Sequence, residues 1–133
     1  MIIQGSVDNL GRAYIRVEAP GDHSVILQID TGVNRKLVVN RHAIYRLGGH
    51  NIDIDGSSLS KVQLADLRET LVLQAIVQFV WFGKLELIDT LVTDYVPKRP
   101  PGDKDPVGLI GTELLADCKL RIDFPRRLVE IER

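Results

Sequence analysis

The strongest constraint on this chain is its punctuation. Short runs rich in Val, Ile and Leu alternate with Gly, Asp, Asn and Pro, and few of the runs are long enough for a helix of three turns. The spacing predicts strands over 2–7, 13–17, 24–29, 36–39, 61–64, 70–82, 84–93, 119–124 and 128–131. Asn9-Leu10-Gly11, Pro20-Gly21-Asp22 and Phe82-Gly83 read as hairpin turns, because each supplies residues that tolerate the left-handed conformation of tight turns. Two stretches break the pattern. Residues 40–47 read as a short helix, capped by Asn40 and stopped by Gly48-Gly49. Residues 112–117 read as another, with Thr112 as N-cap and Leu114 and Leu115 facing inward. The stretch 97–106, PKRPPGDKDP, reads as a surface loop, since its prolines cannot donate to a ladder. The expectation is an all-β chain with one or two short helices.

At 133 residues the chain suits one domain, 1–133, and is too short for two ordinary ones. A net charge of −1 leaves no broad positive field, which argues against nucleic acid as the main partner. The single Cys118 cannot form an internal disulfide. The start lacks the basic and then apolar pattern of a secretory leader, and the apolar stretch 71–82 is far short of a membrane span. A cytoplasmic protein without membrane attachment is the expectation.

The most informative stretch is VILQIDTGVNRKLVV, 25–39. A run apolar on both faces apart from Gln28 predicts a strand covered on both sides, and Asp30 follows at its end. A carboxylate in that position is costly unless hydrogen-bonded, paired or protonated. Thr31 adds a hydroxyl and Gly32 a turn with exposed backbone, before a second apolar run. Asp-Thr-Gly alone is ordinary turn composition. A second segment adds weight: Leu109-Ile110-Gly111, then Leu114-Leu115, then a run ending Ile122-Asp123-Phe124.

Together, and in this order, the two segments resemble the retropepsin-like aspartic proteases, in particular small bacterial single-domain members of that clan. The resemblance spans nearly the whole chain. It implies a closed acid-protease β-barrel and a homodimer, in which each copy supplies one catalytic carboxylate, Asp30, at the two-fold axis. Thr31 would brace the catalytic loop across that axis, and Gly32 would let substrate backbone approach. Gly111 would support the loop from behind. A hairpin over 62–73, with Ala65, Asp66, Leu67 and Arg68 at its tip, would close over a protein or peptide substrate. The segments 1–7 and 128–133 would form the interface. No metal or organic cofactor is implied.

The chemistry is coherent. Hydrolysis by carboxylates needs one as base toward water and one as acid toward the carbonyl oxygen. Two close carboxylates share a proton and titrate as a unit. This chain has one Asp-Thr-Gly, so a symmetric dimer must supply the other.

Three features depart from the family pattern. Val33 stands where many relatives carry a hydroxyl or a small residue. Asn34 and Thr112 occupy the positions of an acidic residue and an Arg that form an ion pair in the retroviral enzymes, so both charges are absent together. The flap segment has no glycine at its tip. These favour, as an alternative, a weak or inactive dimer acting as a peptide-binding or assembly module; a third reading is an unrelated β-barrel that binds a ligand, with Asp-Thr-Gly by accident.

Other features read as structural. Asp53-Ile54-Asp55-Gly56 lacks the remaining ligands of a calcium loop. His23, His42 and His50 show no metal-ligand spacing with Cys118. Lys98-Arg99 is too short a basic run for nucleic acid, and Trp81-Phe82 reads as core or interface. Cys118 reads as a structural thiol, and Ser57, Ser58 and Ser60 lack a nucleophile context.

Overall fold

The computed structural model describes residues 1–48, 60–63, 69–93, 102 and 104–133, with backbone alone at 60–63 and 69–73. Ten strands follow one another along the chain: β1 (Ile2–Val7), β2 (Ala13–Ala19), β3 (His23–Ile29), β4 (Leu37–Asn40), β5 (Ser60–Gln63), β6 (Glu69–Trp81), β7 (Lys84–Thr93), β8 (Pro106–Ile110), β9 (Lys119–Asp123) and β10 (Leu128–Glu132). They form one sheet in the order β5-β6-β7-β4-β8-β3-β2-β1-β10-β9.

The all-β expectation holds, but the closed barrel does not. The sheet is open, with β5 and β9 as its two ends. It curls enough to bring β2 and β6 into contact. The inner faces therefore enclose a core without the edges meeting. Alternation sorts the side chains: Ile15 and Val17 of β2, Leu27 of β3, and Val77, Phe79 and Trp81 of β6 are buried. Phe79 and Trp81 meet edge to face, with ring centroids 6.1 Å apart. β3 is less enclosed than its composition predicts. Val25, Leu27 and Ile29 are buried, while Ser24, Ile26 and Gln28 on its other face are half-covered.

The expected helices are also corrected. Only one short helical turn forms within 40–47, a 3-10 helix over Ile44–Leu47 closed by Gly48 in the left-handed conformation. Asn40 does not cap it. Asn40 ends β4, is fully buried, and accepts the His42 N–H on its side-chain oxygen. Residues 112–117 make successive turns and no helix, because the Thr112 hydroxyl bonds back to the Val33 carbonyl instead of capping the segment ahead. Pro106, read as the end of a loop, instead starts the buried strand β8, which runs to Ile110. The Phe82-Gly83 turn forms as read, with both residues at positive φ, the conformation that suits strand twist. Among the described residues no helix is long and apolar enough to cross a membrane.

Candidate active site

Connectivity places the site. β3 and β4 are consecutive in the chain, yet β8 lies between them, parallel to β3 and antiparallel to β4. The chain leaving β3 must therefore pass over the end of β8 to reach β4. Asp30-Thr31-Gly32 is that crossing, and Gly111 is the first residue past β8 beneath it. The two segments that the sequence analysis singled out thus meet at one end of one strand trio.

Backbone hydrogen bonds hold them together. The Asp30 N–H donates to the Ile110 carbonyl at 2.9 Å, and the Gly111 N–H donates to the Lys36 carbonyl at 3.1 Å. The Thr112 N–H and hydroxyl both donate to the Val33 carbonyl, at 2.9 and 3.2 Å. Thr112 on the Val33 carbonyl thus braces the two turns against each other. Position 111 has no room for a side chain: a Cβ there would collide with the Arg35 and Val33 carbonyl oxygens.

Asp30 is half-buried as a residue at the mouth of this turn. Its Oδ1 accepts the Gly32 N–H at 2.9 Å, and its backbone carbonyl accepts the Val33 N–H at 3.1 Å. Among the described residues Oδ2 accepts no hydrogen bond. Thr31 and Gly32 are exposed, and the Thr31 hydroxyl has no hydrogen-bond partner among the described residues. Val33 is half-buried, with a methyl group close to where a Gly111 side chain would lie. The turn therefore presents a held carboxylate, a hydroxyl and open backbone on one exposed surface.

Asp30 lines neither of two cavities formed by described residues. One, of about 510 Å³, opens beside the start of β4 and is lined in part by Arg35, Lys36, Asp89, Thr90 and Glu113. The other, of about 730 Å³, lies over the outer face of β1–β3, near Tyr14, Arg16 and Gln28. Neither neighbourhood was legible in the sequence, because Arg35, Asp89 and Glu113 come from three distant segments with no shared motif.

β5 and β6 pair as an antiparallel hairpin, with Gln63 opposite Glu69 as its last pair. Ala65, Asp66, Leu67 and Arg68, expected at the flap tip, lie outside the described residues, as do His50 and Asp53-Ile54-Asp55-Gly56. The segments expected at a dimer interface pair with each other within one chain: β1 and β10 are hydrogen-bonded along their length. No group of three potential metal ligands occurs among the described residues. Loss of solvation pushes the Cys118 thiol up to about 11, and its hydrogen bond to Asp117 adds to the shift. It is therefore a neutral thiol at physiological pH.

One further cluster lies outside the motifs singled out in the sequence. At the β1–β2 turn the Asp8 carboxylate accepts the Leu10 and Arg12 N–H groups on Oδ1, both at 2.9 Å. Its Oδ2 accepts the Arg12 guanidinium at 2.8 Å and the Tyr14 hydroxyl at 3.1 Å. Partial desolvation works to raise the Asp8 pKa, but these donors together bring it down to about 2. The Tyr14 hydroxyl is pushed up by its own desolvation and by this bond. The signal was present in the spacing, an Asp followed at four and six residues by Arg and Tyr across a tight turn.

Compared with protein-family models the chain matches none, and comparison with curated proteins gives no match either.

Proposed function

We propose that the protein is an aspartic endopeptidase. The Asp30 carboxylates of two copies, brought together at a two-fold axis, share a proton and activate a water molecule for attack on a peptide bond. One carboxylate takes the water proton while the other donates toward the carbonyl oxygen. The observation that carries this reading is the arrangement at the end of β8: Asp30 is fixed by its N–H on Ile110 and by Gly32 on Oδ1, with Oδ2 left over for chemistry. The resemblance to retropepsin-like proteases points the same way. The exposed Thr31 and Gly32 suit a turn that faces a second copy and an extended substrate.

The test is proteolysis. Purified protein should cleave an unfolded protein or a peptide library at mildly acidic pH, and Asp30→Asn should abolish cleavage while leaving the fold intact. Equal inertness of both proteins across pH and substrates would sink the proposal.

One observation favours a second reading, a dimer that binds or assembles without hydrolysis. Val33 offers no hydroxyl beside Asp30. That reading expects peptide binding that survives Asp30→Asn.

A further inference from the structure

We propose that the second copy seats on two hairpin turns beside Asp30, 8–12 and 124–127, and buries Leu10 and Phe124. The inference rests on the proposed function, in which the site is incomplete until a partner brings a second Asp30 carboxylate; what is new is the surface that holds that partner.

Strand register sets both turns at the Asp30 end of the sheet. Ile29 stands opposite Ala13, and Ala13 opposite Val7, so the β1–β2 turn leaves the sheet where Asp30 does. The Val7 N–H donates to the Arg127 carbonyl at 3.1 Å, and Leu128 pairs with Ser6 and with Asp123, which brings the β9–β10 turn to the same end. The two turns adjoin: a Cβ built at Gly11 would lie 3.6 Å from Cε1 of the Phe124 ring.

The tips of these turns are apolar and uncovered. Leu10 is 77% exposed and Phe124 58%, and neighbouring large apolar side chains left in water mark a contact surface. The charges beside them do not oppose burial. Asp8 pairs with Arg12 at 2.8 Å and Asp123 lies 3.7 Å from Arg126, so each turn compensates its own. Arg127, the remaining charge in the two turns, is exposed, as suits the polar rim of an interface.

Other exposed apolar groups do not suit this partner. Ile76, Leu85 and Leu87 belong to β6 and β7, and β4 and β8 lie between β7 and β3. Met1 and Ile2 stand at the opposite end of β1. A two-fold axis through either patch would leave the two Asp30 carboxylates apart. An axis beside Asp30 sets the end of β1–β3 against the partner, and because such a contact is isologous, each apolar tip is buried twice in one dimer.

Sedimentation equilibrium on the whole chain tests the proposal, with circular dichroism to confirm folding and peptide cleavage read on the same samples. Wild-type protein should dimerise. Leu10→Asp and Phe124→Asp, made singly so that either can decide alone, should each weaken the dimer by about tenfold or more. Leu87→Asp, at a comparably exposed apolar residue on β7, should dimerise as wild type does. A monomeric wild type overturns the proposed surface. So does a folded Leu10→Asp or Phe124→Asp protein that dimerises as wild type does, or a folded Leu87→Asp protein that loses the dimer. The peptidase reading fails separately. Asp30→Asn should leave sedimentation unchanged, so a dimer that obeys this pattern but cleaves nothing would retain the surface and remove the enzyme. Wild-type cleavage beside unweakened Leu10→Asp and Phe124→Asp dimers would do the reverse.

Discussion

Two aspartates open turns in this molecule, and they use their carboxylates differently. Asp8 gives both oxygens to its own hairpin, accepting from Leu10, Arg12 and Tyr14. Asp30 gives one oxygen to Gly32 and none of the second to any described residue. A carboxylate with its acceptor sites filled by neighbours is a piece of turn architecture. A carboxylate positioned by its backbone, with an oxygen in reserve, can meet a water molecule or a second carboxylate. The turns also differ in what holds them. The Asp8 turn is local, closed within a few residues, whereas the Asp30 turn is anchored to Ile110, Gly111 and Thr112, far along the chain.

The sharpest way to break the comparison is to neutralise each carboxylate. Asn at position 30 keeps an acceptor for the Gly32 N–H but cannot serve as base. Peptide cleavage should fall by on the order of 10²–10⁴-fold, measured by initial rates, with the thermal midpoint nearly unchanged. If Asp30 were as architectural as Asp8, stability would fall and rate would follow it.

The long-range anchoring can be broken without touching either carboxylate. Gly111→Ala forces a methyl group into the Arg35 and Val33 carbonyls, and should cost about 1–3 kcal/mol in denaturant unfolding, with cleavage lost in proportion to the displaced turn. Thr112→Val removes the hydroxyl bond to Val33 but keeps the backbone one. It should cost about 0.5–1.5 kcal/mol, toward the low end because Thr112 is exposed.

The smallest effect belongs to Asp8 and is read from pH. Its folded pKa of about 2 lies below the ordinary 3.8, so its contribution to stability is fully present above about pH 4 and is lost as pH falls toward 2. In Asp8→Asn that part of the acid dependence should disappear, while cleavage at mildly acidic pH should match wild type. Unchanged acid sensitivity in thermal melts would remove Asp8 from its role in the turn.

Much of the strand layout was legible in the sequence. Residues 84–93 and the turn at Phe82-Gly83 are found where period and turn chemistry put them. The misreadings share one cause. Thr112 looks like an N-cap until the Val33 carbonyl takes its hydroxyl, and Asn40 looks like one until burial at the end of β4 turns it to His42. Local propensity gave way to tertiary context in both cases, a distant carbonyl for Thr112 and burial for Asn40. β8 escaped notice because Pro106 and Gly108 look like loop residues. Only its neighbours explain them: Pro106 starts the strand, and Gly108 lies where a Cβ would collide with the Val38 carbonyl.

What the sequence determined by itself is the strand-built class and the two segments, Asp30-Thr31-Gly32 and Leu109-Ile110-Gly111, because alternation and turn chemistry act over a few residues. The tertiary structure alone decided that β8 enters between β3 and β4, and that the sheet stays open with β9 at one end. It also decided that the Asp30 carboxylate keeps an oxygen that Asp8 does not. Those outcomes depend on which distant backbone groups meet, and a carbonyl such as that of Val33 or Ile110 looks the same in every sequence until the fold brings a donor to it.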